Sequence, residues 1–185
     1  MFKAVIIGGS AGSFRVITKL LQSLPTNYPL PVLLNLHRLK HVRSGFVEAL
    51  SIKSNIPIIE PYDKDTIKPG YAYLAPSNYH MYIELNKKIA LSTEEPVNHS
   101  RPSIDVSFET AAQTYNKKLL GVILSGANRD GAYGLKKLKD LGGTAIVQDP
   151  RECEVATMTE AALRLTNVDY VYSSDKIVDY LLNLK

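Results

Sequence analysis

The stretch that decides the fold is AVIIGGSAG, residues 4–12, near the start of the chain. It opens with four apolar residues and runs directly into glycines, so it is too short for a helix and predicts a fully buried strand. Residues 16–24 then repeat apolar side chains at helical spacing until Pro25 ends the helix. A strand, a glycine-rich turn and a helix in this order indicate the first unit of an α/β fold.

The same alternation of apolar runs and helical stretches continues along the chain. Further strands are predicted at residues 31–36, 57–59, 71–75, 119–124, 144–147 and 170–172. Residues 81–85 and 89–91 predict an antiparallel hairpin, and Ser103, which follows a proline, marks the start of a helix. Strands that alternate with helices imply parallel crossovers. We therefore predict an α/β fold with a three-layer, mostly parallel doubly wound sheet and an antiparallel hairpin, in one domain over residues 1–185.

The composition is that of an ordinary globular protein. The 185 residues, of which 45% are hydrophobic and 22% charged, suffice for one domain with its own core. Cys153 is the only cysteine, so an internal disulfide is excluded. No apolar run approaches the ~18 residues of a membrane helix, and the first run is too short for a signal peptide. We therefore expect a cytoplasmic protein that does not insert into membranes.

The net charge of the chain is small. Lys and Arg number 22 against 18 Asp and Glu, which gives +4 and a pI near 9.0. The densest basic stretch, residues 38–43, has no aromatic side chains for stacking on bases, so no nucleic-acid partner is expected. The charges indicate a solvated surface with a slight attraction to acidic partners.

The GGSAG turn matches G-x-S-x-G, a sharp strand-to-helix turn that exposes a serine hydroxyl above a sheet. Ser10 is therefore the candidate nucleophile, with the N-terminus of the following helix close to it. Two alternatives stay open. The turn could bind a dinucleotide, although Ser10 and Ser13 stand where G-x-G-x-x-G has glycines, or Ser10 could simply cap the helix.

A serine nucleophile needs a base, and His37 stands at the end of the second predicted strand. Neighbouring parallel strands end at the same edge of a sheet, so His37 is within reach of Ser10. The alternative is a surface histidine without a role in the chemistry. His37 and His41 are spaced i, i+4, but the glutamate of an H-E-x-x-H motif does not accompany them, so no metal site is expected.

A third loop, SGANRDG at residues 125–131, follows the most apolar strand. Asp130 in this loop could orient the histidine and stabilise its imidazolium, which is the third role in a triad. Alternatively, Asp130 could cap the helix that follows it. Ser10, His37 and Asp130 lie at the ends of three apolar strands, and their combination favours a Ser-His-Asp hydrolase.

Several segments together resemble a known family. They are IGGSAG (7–12), LH (36–37), YLAP (73–76), PVNHSRPSID (96–105), GVILSGANRDG (121–131) and QDPREC (148–153). Four of them are similar to the segments that carry the nucleophile, the histidine, the R-P-S-x-D signature and the aspartate in the chemotaxis protein-glutamate methylesterases. YLAP and QDPREC match further segments of that family. The resemblance is to the CheB-type catalytic domain and covers essentially the whole chain.

The resemblance implies a serine hydrolase with Ser10 as nucleophile, His37 as base and acid, and Asp130 as the residue that orients His37. Its substrates would be γ-glutamyl methyl esters on the cytoplasmic helices of methyl-accepting chemoreceptors, with glutamine deamidation as a second activity. Chemotaxis signalling proteins are further implied partners, and no cofactor is implied.

The resemblance also implies an oxyanion hole made of backbone N–H groups. Candidate residues for the hole and the pocket are Ala11, Gly12, Ala127 and Asn128. The family usually has glycine where Ser13 and Asn128 stand, and often methionine in place of Ala127. Side chains at these positions would reshape the pocket and leave the backbone amides in place.

Family members usually carry an N-terminal receiver domain whose phosphorylation relieves inhibition. Here the first catalytic strand begins at residue 4, so the chain is expected to be either a stand-alone enzyme or a piece of a longer protein. The basic stretch at residues 38–43 is a candidate docking surface for glutamate-rich receptor helices. The alternative functions are a catalytically weak docking module, or an esterase or amidase that acts on a non-receptor substrate.

Overall fold

The computed structural model describes residues 1–37 and 45–184. The strands of this part of the chain are β1 (Ala4–Gly9), β2 (Val32–Leu36), β3 (Ile58–Ile59), β4 (Ala72–Leu74), β5 (His80–Ile83), β6 (Ile89–Ser92), β7 (Leu119–Ile123), β8 (Thr144–Gln148) and β9 (Tyr170–Tyr172). Seven of them form one sheet in the order β3-β4-β2-β1-β7-β8-β9, and every neighbouring pair is parallel. β5 and β6 form a separate antiparallel pair. The predicted α/β class, with its mostly parallel sheet and hairpin, is confirmed.

Helices cover both faces of the sheet. They are α1 (Phe14–Ser23), α2 (Phe46–Ser51), α3 (Ile104–Tyr115), α4 (Ala132–Asp140), α5 (Thr157–Leu165) and α6 (Ser174–Leu182). Successive residues of a strand point to opposite faces, so β1 contributes to two cores. Val5 and Ile7 pack with α1 and α6, whereas Ala4 and Ile6 pack with α3, α4 and α5. The result is the predicted three-layer arrangement.

The strand order places a crevice at the carboxyl end of β1. From β1 the chain passes through α1 to β2, which pairs on one side, while β7 pairs on the other side. Ligands of open parallel sheets bind where the order reverses in this way. Ser10 follows β1, His37 follows β2, and Asp130 lies in the loop after β7. The three candidate residues therefore surround this crevice.

The helices α3 and α4 approach each other closely because of a glycine. A Cβ atom added to Gly134 would lie 2.6 Å from the Phe108 side chain and 2.8 Å from the Asp105 carbonyl oxygen. No L side chain fits such a gap. Gly134 thus lets the first turn of α4 come into hydrogen-bonding distance of the first turn of α3.

No helix within residues 1–37 and 45–184 combines the length and the apolar character that crossing a membrane requires. The basic stretch at residues 38–43, together with His41, lies outside the described residues, and its predicted docking role stays a prediction.

Candidate active site

The loop after β1 carries Ser10, the candidate nucleophile. The Ser10 backbone N–H donates to the Ser125 carbonyl at 2.9 Å, and the Ser10 carbonyl accepts from the N–H and the hydroxyl of Ser13 at 3.0 and 2.7 Å. Within the described part of the chain the Ser10 side chain makes no hydrogen bond, and the residue is half-buried. Ser13, not Ser10, occupies the N-cap position of α1. The alternative of Ser10 as a helix cap is therefore wrong.

Ser125, in the loop after β7, holds the loop that carries Ser10 in place. Its buried hydroxyl lies 2.7 Å from the Ala11 carbonyl and 3.0 Å from the Val155 carbonyl, and it accepts the Val155 N–H at 3.0 Å. Gly12 adopts φ +81° beside it, and a Cβ there would lie 2.6 Å from the Ser125 hydroxyl oxygen. Glycine is therefore required at this turn. The G-x-S-x-G pattern includes Gly12, whereas no pattern in the sequence indicated that Ser125 would hold this loop.

His37 is held next to this loop by its backbone. Its N–H donates to the Gly9 carbonyl at 3.1 Å, and the residues before Ser10 and His37, Gly9 and Leu36, are partners in the sheet register. The imidazole is 13% exposed, and its Nε2 lies 2.8 Å from Oδ2 of Asp130. An ionised carboxylate can only accept, so we assign the ring hydrogen to Nε2. The neutral ring then has Nδ1 as its acceptor.

Asp130 is fully buried and accepts hydrogen bonds from one short segment. The Ser103 hydroxyl donates to it at 2.9 Å, and the backbone N–H groups of Ile104 and Asp105 donate at 2.6 and 3.1 Å. Burial by itself would raise the pKa of Asp130. The hydrogen bond with His37 and the Ile104 N–H lower the pKa by more, so it lies below its usual value. Asp130 is therefore a stable anion that faces the imidazole.

The helix that Asp130 caps is not the one that follows it. Its carboxylate accepts from the first turn of α3, while the N-cap of α4 is Gly131, which has no side chain to offer. The alternative of Asp130 as a cap for the following helix is therefore wrong. The sequence could not show this, because α3 begins 26 residues before Asp130.

A second buried carboxylate, Asp105, lies beside Asp130 and was missed as a functional candidate. Asp105 accepts the N–H groups of Gly131 and Gly134 and the side-chain amide of Asn98, at 2.9, 2.7 and 2.8 Å. Burial raises the pKa of Asp105 to about 6, the Gly134 N–H opposes this rise, and the charge of Asp130 adds to it. The only sequence signal was the R-P-S-x-D motif, which contains both Ser103 and Asp105.

His80 also supports the site, although it lies in an ordinary sequence context. It is fully buried, its Nδ1 accepts the Ser103 N–H at 3.2 Å, and its Nε2 lies 3.0 Å from the Glu95 carbonyl oxygen. A hydrogen on Nε2 satisfies both contacts, so the ring is assigned as neutral. His80 thereby fixes the segment that brings Ser103 to Asp130.

The predicted pocket residues carry unused backbone donors. Ala11 and Gly12 lie in the turn after Ser10, and Ala127 and Asn128 lie in the loop after β7. In the described ranges, the N–H groups of these four residues make no hydrogen bond. The Asn128 side chain accepts the Asp130 N–H at 3.1 Å, and its amide nitrogen lies 3.5 Å from Nδ1 of His37. Free N–H groups on two facing loops are suited to binding a developing oxyanion.

Comparisons with known proteins show the family to which the chain belongs. The family model described as CheB methylesterase matches residues 5–181. A protein of Leptospira interrogans named "Putative protein-glutamate methylesterase/protein-glutamine glutaminase" is 45% identical over 183 residues, which cover 99% of this chain and 95% of that protein. The protein-glutamate methylesterase/protein-glutamine glutaminase of Thermotoga maritima is 32% identical over 189 residues, and the match covers 98% of this chain but 54% of that protein.

A solved structure matches over its whole length. The crystal structure of the Thermotoga maritima CheB methylesterase catalytic domain superposes with a TM-score of 0.93 at 31% identity, and the match covers 100% of both chains. The family resemblance and the fold predicted from the sequence are therefore confirmed.

Proposed function

Because the chain belongs to the CheB methylesterase family, we propose that Ser10, His37 and Asp130 are the triad with which it hydrolyses γ-glutamyl methyl esters. Membership of this family makes the chain a hydrolase of the methylesterase type that acts in chemotaxis. The observation that carries the triad is the 2.8 Å contact between His37 Nε2 and the buried Asp130. It lies beside a loop whose serine hydroxyl makes no hydrogen bond with any other described residue.

In the proposed reaction the Ser10 hydroxyl attacks the ester carbonyl carbon, and Nδ1 of His37 accepts the hydroxyl proton. The tetrahedral intermediate places its oxyanion near the unused N–H groups of the two facing loops. Collapse of the intermediate breaks the bond to the methoxy group, which takes the proton from His37 and leaves as methanol. A glutamyl ester of Ser10 remains.

The second half repeats the same proton transfers with water. His37 accepts a proton from water, the hydroxide attacks the acyl carbon, and Ser10 leaves with that proton. The products are the γ-carboxylic acid, which releases its proton to solvent and becomes the carboxylate, and the regenerated enzyme. With a glutamine amide in place of the ester, the same steps release ammonia, which accounts for the proposed second activity, deamidation.

Asp130 has two tasks in this scheme. It keeps the hydrogen on Nε2, so that Nδ1 is the basic nitrogen, and its charge stabilises the imidazolium that forms during each half-reaction. A low pKa suits both tasks, because the carboxylate then stays ionised while His37 changes its charge.

The proposed substrates are the cytoplasmic helices of methyl-accepting chemoreceptors, and the proposed compartment is the cytoplasm. The chain acts in this proposal as one catalytic domain over residues 1–185. Names of relatives support the glutamyl substrate, since those proteins are called protein-glutamate methylesterases.

The experiment is methanol release from a methylated receptor fragment, with a small aliphatic methyl ester assayed in parallel. We expect release from the receptor fragment that Ser10→Ala abolishes. Hydrolysis of the small ester alone would indicate another substrate class. Release from neither, together with binding of the fragment, would indicate a docking module and overturn the proposal.

A further inference from the structure

Two buried aspartates cap the helices α3 and α4 crosswise: Asp130 caps α3, and Asp105 caps α4. Asp130, which precedes α4, accepts the N–H groups of Ile104 and Asp105 at the start of α3, at 2.6 and 3.1 Å. Asp105, in the first turn of α3, accepts the N–H groups of Gly131 and Gly134 at the start of α4, at 2.9 and 2.7 Å. Each helix N-terminus is thus capped by a carboxylate that belongs to the other helix or its leading loop.

The helix α4 needs the Asp105 carboxylate as a cap because it has no capping side chain of its own. Its N-cap residue is Gly131 with φ +102°, and it offers no side-chain acceptor. Without the Asp105 carboxylate, the N–H groups of Gly131 and Gly134 would be buried without a partner. Since Gly131 directly follows Asp130, whatever holds Gly131 also fixes the position of Asp130 relative to His37.

Asn98 joins the two carboxylates. Its side-chain amide donates to Oδ2 of Asp105 at 2.8 Å and lies 3.4 Å from Oδ1 of Asp130. Asp130 is fully buried, whereas Asp105 is 7% exposed and lines a cavity of about 550 Å³ that Asn98 and Arg129 also line. Two negative charges this close are tolerated because two helix N-termini and a shared amide donor face them.

We propose that Asp105 is a positioning residue for the hydrolysis. Its carboxylate holds the loop that carries Asp130, and its negative charge adds to that of Asp130 in favouring the imidazolium form of His37. Asp105 touches neither His37 nor the reacting atoms, so it acts through Asp130. The inference rests on the proposed triad and concerns how that triad is held and charged.

The charged surroundings of Asp105 make this role testable by pH. On α3 the nearest titratable group is Glu109, one turn further along, and Arg129 and Tyr133 face the same cavity from the α4 side. Asp130 is the remaining anion and lies within the hydrogen-bond network itself. Burial raises the pKa of Asp105 to about 6, which places its titration in the range where histidines change charge.

The decisive variant is Asp105→Asn, which keeps an acceptor for the α4 amides and removes the charge. We expect the acid limb of the pH–rate profile for kcat to move to lower pH by about half a unit to one unit, because one nearby anion no longer favours the imidazolium. We also expect kcat at the plateau to fall about 3- to 10-fold with KM unchanged. Glu109→Gln removes a charge on the same helix and serves as the matched control, with the acid limb unmoved.

A merely structural role would lower kcat and thermal stability and leave the acid limb where it is, and that outcome overturns the proposal. Should Asp105→Asn fail to fold, the wild-type protein gives the answer through NMR titration of the His37 ring protons. We expect a curve that departs from that of a single proton, because the charge of the nearby Asp105 also changes with pH, and a single-proton curve overturns the inference. Failure of the triad shows separately, as activity that survives Ser10→Ala.

Discussion

The loop after β1 and the loop after β7 face the same crevice but are built in opposite ways. The first loop leaves its key side chain, the Ser10 hydroxyl, without a hydrogen bond among the described residues. The backbone of this loop is held by hydrogen bonds with Ser13 and Ser125. The second buries its key side chain, Asp130, and saturates it with the Ser103 hydroxyl, two backbone N–H groups and His37.

The difference follows from what each group must do. A nucleophile has to reach a substrate, so its oxygen must be open and only its backbone can be fixed. An orienting carboxylate never meets the substrate, and it works best when rigid and ionised. We therefore expect removal of the Ser10 hydroxyl to reduce activity alone, and removal of the Asp130 charge to reduce activity and stability together.

The largest expected effect is that of Ser10→Ala on activity. Loss of the nucleophile should lower kcat by about 10⁵-fold or more. The thermal midpoint should not change, because the lost hydroxyl makes no hydrogen bond within the described chain. The measurements are methanol release and thermal unfolding, with Ser23→Ala at the far end of α1 as the control. A large loss of stability in Ser10→Ala would contradict the view that the Ser10 side chain, unlike that of Asp130, does not contribute to stability.

Asp130→Asn has the next largest expected effect and should lower both activity and stability. Activity should fall about 10³- to 10⁴-fold, because the ring hydrogen is no longer held on Nε2 of His37. The pKa of Asp130 is lower in the folded protein than in the unfolded chain, so its contribution to stability is present above pH ~4 and is lost as the pH falls through the folded value. The variant lacks this contribution at neutral pH.

For Asp130→Asn we expect a loss of about 3 kcal/mol in the free energy of unfolding at pH 7, since buried donors of α3 lose a charged acceptor. Urea denaturation of both proteins at pH 7 and at pH 3.5 gives the comparison. The difference in unfolding free energy between the two proteins should be smaller at pH 3.5 than at pH 7. An equal difference at both pH values would contradict the predicted link between the pKa of Asp130 and stability.

The sequence predicted the loop that carries Ser10 better than it predicted the contacts that support Asp130. The strand, the GGSAG turn and the amphipathic helix are adjacent in sequence, so Ser10 and its place could be inferred from local pattern. His37 and Asp130 followed from the rule that parallel strands end at one edge, and the structure brings these two side chains into contact. These inferences needed only local periodicity and the strand order.

The support of Asp130 could not be inferred in the same way. Its partners lie on α3, and Asp105 reaches α4 only because Gly134 lets the two helices approach. The buried ring of His80 acts through a similar long-range contact with the Ser103 N–H. Such contacts are decided by packing between layers, and neither hydrophobic period nor capping pattern encodes them.

Ser125→Ala tests the point at which the two loops touch. The variant removes the hydroxyl that links the Ala11 and Val155 backbones, so the nucleophile loop loses its brace. We expect activity to fall about 10-fold, and the unfolding free energy to fall by about 2 kcal/mol, because the Val155 N–H is left without its acceptor.

Ser77→Ala is the matched control for Ser125→Ala. Ser77 is also buried, but its hydroxyl has no hydrogen-bond partner in the described structure. Its removal should therefore leave activity unchanged and should not lower stability. Equal losses in both variants would show that Ser125 matters only as packing volume.

The smallest expected effect concerns the pH dependence of stability, and its sign is opposite for the two aspartates. The pKa of Asp105 is raised to about 6, above the ~3.9 of an aspartate in an unfolded chain. The folded state therefore holds the Asp105 proton more tightly, and this contribution is complete below pH ~4 and is lost as the pH rises through about 6. Asp105→Asn has no such titration, so its unfolding free energy relative to wild type should rise by about 1 kcal/mol between pH 5 and pH 7.5. Urea denaturation at both values measures the change, and Glu109→Gln, on the same helix, should show none. A relative stability that falls over this range would mean that Asp105, like Asp130, is an anion stabilised by its partners.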